Sequence, residues 1–286
     1  MSELIDNIAM LATAEGYNRT SVKGVAVYKD SVGSKRIPLL YSQGIIFVVQ
    51  GRKRIYLEQS SYDYNPNQYL VLTLPMPAEC ETFVEPGEPM LSVMINLDVS
   101  LLNEMVHLFD VHRQNQVANL ETESKGLYVC KCNNELLDAI TRLSQCLNSP
   151  LQSEVLGGSL VREVLFYVLN GPNAAPIFAL ASQNTRLSRL ERVIKHLNDH
   201  YQERLDVDQL AAMANMSASS FHRHFKQVTN TSPIKYVKKI RLNRARELLV
   251  DKGLKVKQAA EKVGYESPTQ FSREFTRYFG ENPRDC

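Results

Sequence analysis

Ala259-Ala260-Glu261-Lys262-Val263-Gly264-Tyr265-Glu266-Ser267-Pro268-Thr269-Gln270-Phe271-Ser272-Arg273-Glu274-Phe275 decides the reading of this chain, because its pattern occurs twice. The other copy is Leu210-Ala211-Ala212-Met213-Ala214-Asn215-Met216-Ser217-Ala218-Ser219-Ser220-Phe221-His222-Arg223-His224-Phe225-Lys226. In each, small apolar residues at helical spacing lead to a short break, at Gly264-Tyr265 or Asn215-Met216. Ser267 or Ser217 then stands where a hydroxyl caps a new helix. Pro268 follows at the first helical position, where its missing N–H costs nothing. Phe221/Phe225 and Phe271/Phe275 fall on one buried face of each second helix, and Arg223 and Arg273 point elsewhere. The copies are offset by 49 residues before the turn and 50 after it, so the second turn is one residue longer. This is helix–turn–helix grammar, twice. The plain alternative is packed helix pairs in an all-α domain.

Charge favours the first reading. Residues 184–286 hold 20 Lys+Arg against 12 Asp+Glu, a net +8, whereas residues 1–183 hold 13 against 19, a net −6. The modest +2 of the whole chain hides this split, and a basic half beside an acidic one suggests that one half meets a polyanion.

These residues carry a resemblance. The C-terminal segment resembles the AraC/XylS family of bacterial transcription regulators through Ser217-x3-Phe221-x-Arg223-x-Phe225-Lys226, Ser232-Pro233-x2-Tyr236 and Arg241-Leu242-x2-Ala245-x2-Leu248-Leu249. It continues through Ala259-Ala260-x2-Val263-Gly264-Tyr265-x-Ser267-Pro268-x2-Phe271-Ser272-Arg273-x-Phe275 and Phe279-Gly280-x2-Pro283. One departure is Cys286, where the family usually has a Tyr.

A length of 286 residues suggests two domains, and 44% apolar content is enough for ordinary cores. No run approaches eighteen apolar residues, so no membrane span is expected. The acidic start Met1-Ser2-Glu3-Leu4-Ile5-Asp6 lacks a signal-peptide pattern. Cys80, Cys130, Cys132, Cys146 and Cys286 are few, odd in number and scattered, which reads as a reduced, cytoplasmic setting. Cys130-Lys131-Cys132 is half a metal or redox pattern, or two ordinary strand residues.

The first twenty residues predict a short helix or an arm. Val22 to Tyr28 reads as a strand. Gly44 to Val49, the turn Gln50-Gly51-Arg52 and Lys53 to Glu58 read as a hairpin. Gln68 to Thr73 and Leu91 to Leu97 follow turn chemistry at Asn65-Pro66-Asn67 and Glu85-Pro86-Gly87. Short strands with regular turns suggest a small barrel or sandwich. Their order resembles, more loosely, the cupin-like N-terminal domain of AraC-type regulators. Many cupins are metal enzymes, but all six His lie outside residues 21–98, which argues for a binding barrel with no metal, no cofactor and no catalytic residue.

Helices follow. Leu101 to Leu108 is apolar-periodic, and Glu121 to Lys131 offers a final strand. Leu136, Leu137, Ile140, Leu143 and Leu147 form one stripe, and Leu156, Leu160, Val161, Val164, Leu165 and Val168 another. Each stripe covers the barrel or makes a dimer seam; Leu136, Ile140, Leu143, Leu147, Leu160 and Val164 are the dimer candidates. Residues 171–185 read as a linker. Ser188 is a candidate N-cap for a helix through His200. His196 and His200 have the spacing of a zinc pair but lack the Glu and the third ligand. Ser232-Pro233 opens a long helix to Leu249, with Lys235, Lys238, Lys239, Arg241, Arg244 and Arg246 on its polar face.

The expected fold is therefore α+β. Residues 1–183 form a cupin-like effector-binding and dimerisation domain. Residues 184–286 form an all-α domain with helix–turn–helix motifs at about 206–227 and 255–278, joined by a long helix. By match to the family, Ser219, His222 and Arg223 on the first reading helix contact bases, as do Pro268, Thr269, Gln270 and Arg273 on the second. Lys226, Lys238, Arg244 and Arg277 are candidate phosphate contacts. The implied partners are double-stranded DNA, a second copy of the chain, a small effector, and RNA polymerase if the protein activates. Tyr41, Phe47 and Tyr69 are candidate effector contacts. The competing functions are a regulator with no effector, a cupin enzyme fused to a DNA-binding module, and a repair protein that accepts methyl groups on an activated Cys.

Overall fold

The computed structural model describes residues 2–113, 126–182 and 185–286. Helix α1 (Ser2–Leu11) precedes nine strands: β1 (Gly16–Arg19), β2 (Val25–Asp30), β3 (Ser34–Tyr41), β4 (Gly44–Gln50), β5 (Arg52–Leu57), β6 (Ser60–Tyr64), β7 (Gln68–Leu72), β8 (Met76–Phe83) and β9 (Met90–Asn96). Then come α2 (Val99–Arg113), β10 (Leu127–Lys131), α3 (Asn134–Leu147), α4 (Pro150–Leu169) and α5 (Ala175–Ala181). The remaining helices are α6 (Arg186–Asp199), α7 (Val207–Met213), α8 (Ala218–Thr229), α9 (Pro233–Val250), α10 (Val256–Lys262) and α11 (Pro268–Phe279).

The strands form two antiparallel sheets, ordered β1-β2-β9-β4-β7-β10 and β3-β8-β5-β6. The expected hairpin of Gly44–Val49 with Lys53–Glu58 does not form. β4 pairs with β7 and β9, whereas β5 pairs with β6 and β8, so the chain changes sheets at Gly51. Gly51 has φ +77°, and a Cβ there would meet Met90 at 2.9 Å. Only glycine turns this corner without strain.

Pairing puts Phe47 beside Tyr69 and Val93 on one face of the six-stranded sheet, with Val27 beyond. This outer face lies beneath helices: Tyr69 reaches the segment after α4 at Gly171, and Asn173 donates to the Cys130 thiol at 3.4 Å. The opposite face carries Tyr28, whose ring lies 4.2 Å from the Lys53 ammonium of the second sheet. The barrel interior is therefore lined by Tyr28, Lys53 and the hydrogen-bonded pair Tyr41 and Tyr64, with hydroxyls 3.0 Å apart. Of the three effector candidates, Tyr41 is inside. Phe47 and Tyr69 face the helices instead, their rings tilted at 35° with centroids 5.5 Å apart.

The expected dimer seam is also corrected. Leu136, Ile140, Leu143, Leu147 and Val164 are each 4% exposed or less, and Leu160 is half-buried. α3 packs against α4 and α1, so these residues are internal core. Residues 171–185 are not simply a linker, because α5 lies there with Ile177, Phe178 and Leu180 buried. Asn133, Ser149, Ser217, Ser232 and Ser267 cap their helices as N-caps do. Thr185, rather than Ser188, caps α6, and the Ser188 amide donates to its hydroxyl at 3.1 Å.

Candidate nucleic-acid interface

The two helical repeats fold alike because the same positions are buried. Phe221, Phe225, Phe271 and Phe275 are fully buried, and each pair of rings sits 5.5 Å apart. In the first turn Asn215 adopts φ +53°; in the second, Gly264 adopts φ +81°. A Cβ at Gly264 would strike the Gln202 carbonyl, so the longer turn depends on glycine.

Burial of the phenylalanines leaves the opposite faces of α8 and α11 in solvent. Ser219, His222, Arg223, Thr269, Gln270 and Arg273 are exposed, and Pro268 is half-buried at the first position of α11. Arg223 and Arg273 hold equivalent places and make no ion pair with another described residue. Of the phosphate candidates, Lys226 and Arg277 are exposed at the ends of α8 and α11. Lys238 is instead committed to Glu274 at 2.9 Å, and Arg244 pairs with Glu247 at 2.9 Å.

Three polar residues do more than the sequence alone revealed. Arg241, on the expected basic face, is turned inward. Its guanidinium donates to the carbonyls of Tyr201 at 2.6 Å, Glu203 at 2.6 Å and Gly264 at 3.1 Å. It thereby ties the end of the α6 segment to the second turn. Tyr236 is buried in α9 and donates to the Pro75 carbonyl at 2.7 Å. Glu274 is buried on α11 and accepts from Lys238, Tyr265 and Gln270. Burial raises its carboxyl pKa, but the bonds from Lys238, Gln270 and Tyr265 outweigh that and hold it below the usual range.

The other sequence candidates meet different fates. His196 and His200 stack at 4.6 Å, and His200 bonds Glu203 at 2.8 Å through Nδ1. Among the described residues no three His, Cys, Asp or Glu gather at metal-binding distances. Burial pushes the Cys132 thiol up to about 12 and raises those of Cys146 and Cys286, the reverse of an activated nucleophile. Lys53 has its pKa lowered by burial inside the barrel. No helix among the described residues is long and apolar enough to cross a membrane.

A family model for the AraC-type transcriptional regulator N-terminus matches residues 21–176. The chain belongs to the AraC-type family of transcriptional regulators. A helix-turn-helix domain model matches residues 210–286 of this AraC-type chain. Similar proteins include the HTH-type transcriptional regulator GbdR of Pseudomonas aeruginosa, 33% identical over 101 residues, 35% of this chain and 28% of GbdR. The HTH-type transcriptional activator RhaS of Escherichia coli is 28% identical over 168 residues, 58% of this chain and 60% of RhaS. The match thus spans less than two thirds of either relative. A crystal structure of ToxT from Vibrio cholerae shares the fold with TM-score 0.61 at 17% identity, covering 91% of this chain and 96% of ToxT. ToxT bound to an unsaturated fatty acid has TM-score 0.59 at 14% identity, covering 91% and 93%.

Proposed function

We propose that this AraC-type chain is a sequence-specific DNA-binding transcription regulator. The observation that carries the reading is the pair of reading helices, each with an exposed, unpaired arginine at the same place, on the basic half of the chain. Residues 184–286 would read DNA with α8 and α11, and α9 would set the separation of the two. Lys226 and Arg277 are the phosphate contacts best placed for this; Lys238 and Arg244 serve internal pairs first. Residues 1–183 would sense an effector and dimerise. The setting is the cytoplasm, no catalysis is assigned, and RNA polymerase is a partner if the protein activates. The test is to recover and sequence the genomic fragments retained by the purified full chain. Enrichment of a shared sequence supports the reading, and retention of random fragments opposes it.

An acidic small molecule fits the sensing half. The Lys53 ammonium is buried beside Tyr28, with no carboxylate at ion-pair distance among the described residues. The related fold of ToxT has been solved with a fatty acid bound. A thermal-shift screen of organic acids, with Lys53→Met as control, tests this.

In this reading the chain would dimerise through the outer face of α4. Leu151, Val155 and Phe166 are 72%, 66% and 44% exposed and recur on one stripe, with Gly158 open to solvent between them. An antiparallel pair of α4 helices about a dyad between Gly158 and Ser159 would set Leu151 against Phe166 of the second copy. It would also set Val155 against Arg162. Small residues at the crossing allow close approach, and the pattern is self-complementary, as a two-fold interface requires.

A further inference from the structure

Gln270 is the third residue of α11, where the chain of a reading helix first comes near base edges. Its side chain is exposed, yet it is not free to turn. One turn later Glu274 accepts from its amide Nε2 at 3.2 Å. A carboxylate only accepts, so the amide nitrogen, not the oxygen, must face it. The carboxylate is itself fixed. Lys238 of α9 donates to the same Oε1 at 2.9 Å, and Tyr265 donates to Oε2 at 2.9 Å from the turn before the helix. Glu274 is 6% exposed and is anchored by two elements outside α11.

This arrangement has a chemical consequence at the surface. An amide NH2 carries two hydrogens, and Glu274 takes one. The second hydrogen and the Oε1 acceptor remain side by side. That pair matches adenine in the major groove, where N7 accepts and the N6 amino group donates. Lys238 neutralises the carboxylate, which would otherwise repel the nearby phosphates. The first motif lacks this device: its equivalent pair is Ser220 and His224, where the imidazole Nδ1 lies 2.7 Å from the Ser220 carbonyl.

We infer that Glu274 is a positioning residue that fixes Gln270 for two-point recognition of adenine, and that Lys238 belongs to this support rather than to the DNA backbone. The inference rests on the DNA-reading function proposed above.

The experiment is a selection of bound sequences from a fully randomised double-stranded DNA library with the full-length protein. Wild type, Gln270→Ala, Glu274→Leu, Glu274→Gln and Tyr265→Phe are compared, each checked for folding by its melting transition. Wild type is expected to enrich adenine roughly tenfold or more at one position, as a bidentate contact does. Gln270→Ala should lose that preference alone. Glu274→Leu should lose it at the same position with the other positions kept. Glu274→Gln keeps the volume with a single carbonyl acceptor and should lose most of it. Tyr265→Phe removes one of the two outside bonds that fix Glu274 and should weaken the adenine preference at that position less than Glu274→Leu does. Retention of the adenine by both Glu274 variants, or equal weakening of every position, overturns the inference, since a merely structural role predicts the latter. A Gln270→Ala protein with unchanged preferences overturns it too, while leaving the DNA-reading function standing. Failure of wild type to enrich any sequence would sink that function and the inference together.

Discussion

Lys239 on α9 and Glu58 beside the β5–β6 turn meet at 2.9 Å, joining the helical half of the chain to the sheet half. Glu58 sits there in a left-handed conformation, with φ +53°. Beneath the ion pair, Tyr236 reaches the Pro75 carbonyl, and Val228 packs so close to Gly126 that a Cβ would meet its carbonyl at 2.6 Å. The helix between the two repeats is thus also the helix that docks on the barrel.

The two contacts of this seam should differ in strength. The ion pair is partly in water, with side chains 22% and 40% exposed, so Glu58→Ala should cost about 0–1 kcal/mol. Tyr236→Phe strands a buried carbonyl and should cost about 1–3 kcal/mol. Urea unfolding of the full chain measures both. A larger loss from Glu58→Ala than from Tyr236→Phe would show that the seam is held by charge.

Arg241→Lys should fail to replace Arg241. One ammonium cannot satisfy three carbonyls spread over two segments, whereas the planar guanidinium does. A loss of about 1–3 kcal/mol for the lysine variant is expected in the same unfolding assay. A variant as stable as wild type would mean that water replaces the clamp without cost.

The two helical repeats were legible in the sequence because their evidence is local. A capping serine, a Phe pair at helical spacing and an arginine between them fix which face of a helix is dry and which is wet. The barrel was legible only in kind. Strand pairing is a long-range property, so nothing near Gly51 revealed that the chain leaves one sheet for the other. β3 and β8 escaped notice because their outer faces carry charge, including the Arg36–Glu79 pair, which dilutes the apolar signal. The stripe through Leu136, Ile140 and Leu143 showed that a face is buried, not what buries it. Arg241 and Glu274 were hidden for a similar reason: a charged residue on a helix looks the same in sequence whether it meets solvent or holds the backbone in place.

Glu274 should make stability fall in acid. Its folded pKa lies below the ordinary 4.5, so its carboxylate stabilises the fold above that pH and the benefit is lost as pH falls through the lower folded value. The stability gap between wild type and Glu274→Gln should therefore shrink from about pH 6 to about pH 3. A gap that widens on acidification would mean that the folded carboxyl is protonated more readily than the unfolded one.

Substitution on the two faces of the α3–α4 pair should separate association from folding. Leu151→Glu and Val155→Glu should give monomers by sedimentation with little change in melting. Leu143→Ala, in the core, should cost about 2–5 kcal/mol without changing the sedimentation of the folded protein. A wild-type chain that is monomeric at tens of micromolar, about the range of weak dimers, would remove the α4 seam.

The most direct test of two readers in one chain is a titration of wild type, Arg223→Ala and Arg273→Ala. Each is measured against the selected site, its single-base variants and random duplex, at two salt concentrations. Each substitution should cost roughly 1–3 kcal/mol and relax the preference at its own base position, leaving the other reader's positions intact. The salt slope of the wild type should be about −0.9 per phosphate neutralised. If either substitution weakened all duplexes equally with every base preference unchanged, that helix would be a backbone clamp and the chain would have a single reader.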